Sequence, residues 1–157
     1  MSAFDPLTKP GFVVRRLQQL SVKLFQASVE GFDLTATQYV SLQVIQDQPG
    51  IDQVTLSRAT DIDSATIVRI VDRLCRQGRV EKRVSMQDRR MNQLFLTAKG
   101  GGLLKAASEY AERSQVELLA PLSPEDQEKF MELALRLVAE HTDKAAAAAG
   151  SAAPDAA

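Results

Sequence analysis

Residues 52–97 constrain the fold of this chain more than any other stretch. Two short helical patterns, 52–60 and 63–77, are separated by a break at Asp61-Ile62-Asp63, and Gly78 ends the second. Two β segments follow, Val80–Val84 and Leu94–Thr97, joined by a long polar loop that carries Asp88-Arg89-Arg90. Helix, turn, helix and basic β-hairpin form a layout that puts one helix in a DNA major groove and a loop beside it. A loop of this length in a compact domain is usually functional.

Charge distribution supports that reading better than net charge does. The whole chain carries a formal charge of −1, yet Arg58 to Lys99 holds 10 Lys/Arg against 5 Asp/Glu, and the remainder holds 9 against 15. A basic middle between acidic flanks is the sign separation of a nucleic-acid footprint on a neutral protein. At 157 residues the chain is expected to form one domain. It contains no run of the roughly 18–20 apolar residues that cross a membrane, and Met1–Pro10 has no apolar signal core. Its single cysteine rules out an internal disulfide, and a cytoplasmic location is expected.

Outside the central module the pattern is helical. Val13–Val29 is amphipathic, with Leu17, Leu20, Leu24 and Ser28 on one stripe. Thr35 can cap a second helix running to about Gln48, with Gln38 at its third position, and Pro49-Gly50 stops it. Asp52 and Asp63 are the N-caps of the third and fourth helices. Thr97 can cap a fifth, to about Ala120, and Ser123 followed by Pro124 opens a sixth with the stripe Phe130, Leu133, Ala134, Leu137 and Val138. Residues 142–157 are Ala-rich without a stripe, so a disordered tail is expected there. The fold class is therefore mainly α with a small β-hairpin wing, a winged helix-turn-helix plus dimerisation helices (the first, fifth and sixth). Those three carry apolar stripes at both ends of the sequence, which would be buried against each other and a second copy. A two-fold dimer also suits a palindromic DNA site.

At 100° per residue, Ile67, Ile70, Val71, Leu74, Cys75 and Val68 fall in one arc of the fourth helix. Ala65, Thr66, Arg69, Arg73 and Arg76 fall opposite, with Ser64 in the exposed first turn. Arg can bond guanine in pairs, Ser and Thr meet bases or phosphates, and Ala meets the thymine methyl. Ser64, Thr66 and Arg69 should lie nearest the bases, because such helices point their N-terminal half inward. In the hairpin, Lys82 and Arg83 precede the loop and Arg89 and Arg90 follow Asp88, placing cations where a flanking minor groove attracts them. Asp88 is best explained as a partner for Arg90 or Arg83 that shapes the tip.

The run Asp88 to Gly100 resembles the wing signature of the MarR family of bacterial transcriptional regulators: Asp-x-Arg (Asp88, Arg90), then Leu96-Thr97, then Lys99-Gly100. Val71-Asp72-Arg73-Leu74, and Leu56-Ser57 ahead of it, match the same family. The resemblance spans about residues 10–141, with a DNA-reading part of about 34–97. It implies a homodimer that binds a palindromic operator, usually as a repressor, through helix 63–77 in the major groove and wing 85–92 in the minor groove. It also implies that Arg90 enters that groove, that Asp88 orients the wing, and that a small ligand releases the DNA. The DNA-contacting set is thus Ser64, Ala65, Thr66, Arg69, Arg73, Arg83, Asp88, Arg89 and Arg90. Asp61 stands where the family often has glycine, but aspartate tolerates the left-handed turn. Met91 replaces a smaller residue. Gly100-Gly101-Gly102 are either a hinge at the start of the fifth helix or a sign that this helix begins late.

Family effectors often sit between the reading module and the dimer helices, which makes Phe12, Arg16, Phe25, Tyr39 and Tyr110 the candidate contacts here. An arginine near aromatics suits an anionic aromatic ligand: a phenol, or an aromatic carboxylate or its coenzyme A thioester. Two other readings stay open. One is a winged helix that docks protein; the other is a thiol redox sensor through Cys75. No enzyme, metal or cofactor reading is supported: His141 is the single histidine, and no phosphate-binding glycine loop follows a strand.

Overall fold

Capping residues set most of the element boundaries. The computed structural model describes residues 5–84 and 92–150, with side chains described to residue 142. The loop holding Asp88, Arg89 and Arg90 therefore lies outside the described residues, as does 151–157. The chain divides into two compact units, Met1–Leu118 and Leu119–Ala157.

The first unit opens with a short 3-10 turn, Pro6–Thr8, capped by Asp5. Helix α1 spans Pro10–Ser28, α2 Ala36–Asp47, α3 Gln53–Thr60 and α4 Ser64–Arg76. The strands are β1, Val80–Val84, and β2, Asn92–Leu96, and α5 covers Ala98–Leu119. Pro10 sits in the first turn of α1, where its missing N–H costs nothing, so that helix starts three residues before its apolar pattern. Thr35 and Gln38 form the expected capping box, each side chain bonding the other's backbone N–H at 3.1–3.2 Å. Asp52 accepts from the backbone of Val54 and Thr55, and Asp63 from Thr66. Asp61 adopts the left-handed conformation, φ 51°, and closes the turn between α3 and α4. Ser57 Oγ reinforces that turn by donating to the Ile62 carbonyl at 2.6 Å.

β1 and β2 pair antiparallel with Val80 opposite Leu96. A third segment joins them: Leu94 N donates to Ile51 O, and Gly50 N to Leu94 O, both at 2.9 Å. Sequence pattern hides this bridge because one residue has no alternation to read. The core gathers Leu42, Ile45, Leu56, Ile67, Val71, Leu74 and Leu94, all fully buried, with Leu104 and Ala107 from α5. A smaller cluster of Phe25, Val29 and Ala111 joins α1 to α5.

Three expectations need correction. Val68 is exposed rather than buried, because it lies at the very edge of the apolar arc of α4. Helix α5 does not start late: it begins at Ala98 and runs through all three glycines. In the second unit, α6 spans Pro124–Gly150 and so passes the Thr142 where its stripe ends. Alanine has the highest intrinsic helix propensity, so backbone bonds can continue there without a face to bury. Ser123 opens α6 as expected, accepting from Asp126 N at 3.2 Å.

Candidate nucleic-acid interface

Helix α4 is held from one side only. Ile67, Ile70, Val71 and Leu74 pin it to the core, while Ser64, Ala65, Val68, Arg69, Arg73 and Arg76 are solvent-exposed and Thr66 is half-buried. Asp63 caps the helix end that would enter a groove, and its carboxyl is held below the usual carboxylate range by the hydroxyl and backbone of Thr66. Arg69 donates to Thr66 Oγ1 at 3.1 Å, so its guanidinium leans toward the first turn where bases would be read. Val68 adds an exposed apolar side chain beside them.

Arg73 is placed differently from Arg69. It pairs with Asp33, in the elbow between α1 and α2, at 3.2 Å. Arg83 pairs with Glu81 and its guanidinium carbon sits over the Phe95 ring, 4.4 Å from the centroid. These contacts hold Arg83 along the wing, so its described partners are Glu81 and Phe95. Lys82 reaches across to Asp72 of α4 at 2.7 Å and holds that carboxyl low. The wing's first strand is thereby fastened to α4.

The motif Leu96-Thr97-Ala98-Lys99-Gly100 acquires a structural reason. Thr97 Oγ1 donates to the Gly78 carbonyl at 2.7 Å and accepts from Gly100 N at 3.0 Å, which makes it the cap of α5. Lys99 Nζ donates to the Gln77 carbonyl at 2.9 Å. Gly100 lies so close to the Arg79 carbonyl that a Cβ would meet its oxygen at 2.0 Å. These residues lock the start of α5 onto the end of α4. Gly101 and Gly102 have open space around them.

Between α1, α2 and α5 lies a cavity of about 370 Å³, lined by Ser21, Phe25, Ala36, Tyr39, Val40, Ala111, Glu112 and Gln115. Phe25 and Tyr39 form a tilted ring pair, 5.5 Å between centroids, and the Tyr39 hydroxyl accepts from Gln43 Nε2 at 2.9 Å. Two of the five expected effector contacts therefore line one cavity. Phe12 and Arg16 stand on the exposed N-terminal half of α1, and Tyr110 packs instead on Phe32, 5.5 Å between ring centres. Sequence reading missed the small and polar lining residues, which carry no pattern until three helices meet. It also missed Asp33 and Arg79. Arg79 is 7% exposed, with Nη1 donating to the Asp33 carbonyl at 2.8 Å. Cys75 is half-buried, and burial pushes its thiol up, against a weaker pull down from Lys82. A reactive sensor thiol needs the opposite shift.

Among the described residues no group of three His, Cys, Asp or Glu is placed to hold a metal ion, and no described helix is long and apolar enough to cross a membrane.

Comparison with known proteins agrees with this geometry. The MarR family profile matches residues 34–91. The transcriptional regulator HosA of Escherichia coli O127:H6 is 36% identical over 106 residues, 68% of this chain and 78% of HosA. The fold superposes on the transcriptional regulator PcaV of Streptomyces coelicolor, solved with its natural ligand, with a TM-score of 0.81 and 34% identity over 88% of this chain and 97% of that one. BpsR of Bordetella bronchiseptica, whose DNA binding is regulated by 6-hydroxynicotinic acid, also superposes with a TM-score of 0.81, at 26% identity over 87% and 98% of the two chains. A helix-turn-helix with a fastened wing, a motif that locks it to α5, and these relatives lead to one conclusion: the chain belongs to the MarR family of transcriptional regulators.

Proposed function

We propose that this regulator is a homodimeric, ligand-responsive repressor that binds a palindromic operator. Each protomer lays α4 in the major groove and its wing, residues 85–92, in the adjacent minor groove. The carrying observation is the one-sided burial of α4, which leaves Ser64, Ala65, Thr66 and Arg69 facing outward behind a capped N-terminus. Arg73, Arg83, Arg89 and Arg90 add phosphate and minor-groove contacts, and Asp88 shapes the wing tip. Exposed apolar side chains support the dimer: Val13, Val14, Leu20 and Val22 on α1, and Leu133, Leu135, Leu137 and Val138 on α6.

The effector is a small aromatic acid held in the cavity between α1, α2 and α5. Its volume favours a single ring over a coenzyme A thioester, and Phe25 and Tyr39 supply an aromatic wall. Regulation of BpsR by 6-hydroxynicotinic acid supports the same class. Glu112 is the one charged lining residue. A ligand hydroxyl can donate to it, and the carboxylate needs a cation, for which Arg16 is the candidate. The operator test is a mobility-shift titration against salt. Affinity should fall by roughly 0.9 log units per log unit of salt for each phosphate neutralised. Arg69→Ala should cost about 1–3 kcal/mol and relax one base position per half-site, whereas Arg90→Ala should weaken binding with little change in the preferred sequence. Salt-independent binding, or wild-type behaviour of both variants, would overturn the assignment.

A further inference from the structure

The elbow between α1 and α2 contains a polar cluster that DNA reading alone does not require. Asp33 is in the left-handed region, φ 47°, which is uncommon for a residue with a side chain. That conformation aims both of its ends at the reading helix. One carboxylate oxygen faces Arg73 Nη2 at 3.2 Å, and the other accepts from Gln77 Nε2 at 2.8 Å and lies 3.7 Å from Arg79 Nη2. The Asp33 and Phe32 carbonyls both accept from the Arg79 guanidinium, at 2.8 and 3.3 Å. One residue thus grips the last turn of α4, its C-cap and the chain leading into β1.

The cluster is incompletely satisfied. Gln77 Oε1 and Arg79 Nε are buried and have no hydrogen-bond partner among the described residues.

The neighbouring residue faces the other way. Phe32 packs against Tyr110 of α5 and touches both hydrophobic clusters, where Tyr39, a wall of the cavity, does the same. Adjacent side chains therefore address the two ends of the proposed regulator: Phe32 the helices around the cavity, Asp33 the helix at the DNA.

We infer that Asp33 is a positioning residue that sets the pose of α4 and relays to it the state of the Phe32–Tyr110 packing. With Phe32 seated, Asp33 holds Arg73, Gln77 and Arg79 together; when Phe32 shifts, that grip loosens and α4 loses the pose that discriminates its operator. The relay rests on the DNA-binding reading above and deepens it by naming its regulatory linkage. Exposed ion pairs are individually weak, so the contribution is to geometry rather than stability.

The test uses the full chain without ligand. The wild type first enriches a duplex from a random-sequence library, and affinity for that duplex is then divided by affinity for a scrambled duplex of equal length. Asp33→Gly removes the carboxylate at a backbone angle that glycine adopts freely, and should lower this ratio by about tenfold or more, within the usual range of coupling between sites. Tyr110→Ala, far from the DNA in sequence and half-exposed, should lower it by about threefold or more. In the double variant the ratio should stay within about twofold of Asp33→Gly alone, because the route from Tyr110 passes through Asp33. If Asp33→Gly melts early by circular dichroism, Asp33→Asn carries the same expectation. A wild-type ratio in either single variant, or losses that multiply in the double, overturns the relay while leaving DNA binding intact. A wild type that enriches no sequence overturns both.

Discussion

Arg69 and Arg73 stand one turn apart on the same side of α4, yet their partners give them different work. Arg69 leans on Thr66 within its own helix, whereas Arg73 is drawn to Asp33 across the fold. Position along the helix already set Arg69 nearer the expected bases; the location of Asp33 adds a partner that draws Arg73 aside. Cys75 illustrates the same point. Arginines nearby in sequence suggest an activated thiol, but the side chain packs against the core and burial raises its pKa. Alkylation of Cys75 in the folded protein should therefore be slow at pH 8, with a midpoint above the ordinary thiol value, and peroxide should leave DNA binding of Cys75→Ser and wild type equal. A fast, low-midpoint reaction would restore the redox reading. Asp52 makes an acid-side prediction. Bonds from the Thr55 hydroxyl and backbone hold its carboxyl below its ordinary value. Its folded pKa is depressed, so its stabilising effect is present above about pH 4 and is lost as pH falls through the folded value. Acid titration of the melting temperature should show less loss below pH 4 in Asp52→Asn than in wild type.

Elements are stitched together at their ends. The close approach of α5 to the α4–β1 turn depends on Gly100, whose missing side chain admits the Arg79 carbonyl. Gly100→Ala should destabilise the protein by about 1–3 kcal/mol, as overpacking does. At Gly101 and Gly102 there is room, so alanine there should instead stabilise α5 by up to about 1 kcal/mol each. Thermal melts of the three single variants check both signs. The same substitutions at 101 and 102 test the hinge: ligand release of DNA unchanged in the double variant would remove it. Caps were legible before the fold was known, because Thr35, Asp52, Asp63, Thr97 and Ser123 act within three residues of themselves. The Ile51–Leu94 bridge was not, since its two sides are far apart in sequence.

Across the whole molecule, the apolar side chains left exposed on α1 and α6 argue for a second copy. Sedimentation should give twice the 17.2 kDa chain mass, and Leu137→Glu or Val14→Glu should shift the protein toward the single chain and weaken operator binding. A native protein that sediments as one chain would remove the two-fold reading. Local order, the amphipathic face of α4 and the wing signature were determined by the sequence alone, because they depend on neighbours three or four residues away and on backbone preferences. The cavity lining, the Asp33 cluster and the burial of Arg79 were decided by tertiary structure. They arise where α1, α2, α4 and α5 converge, and no periodicity along one helix records which side chain another helix will bring against it.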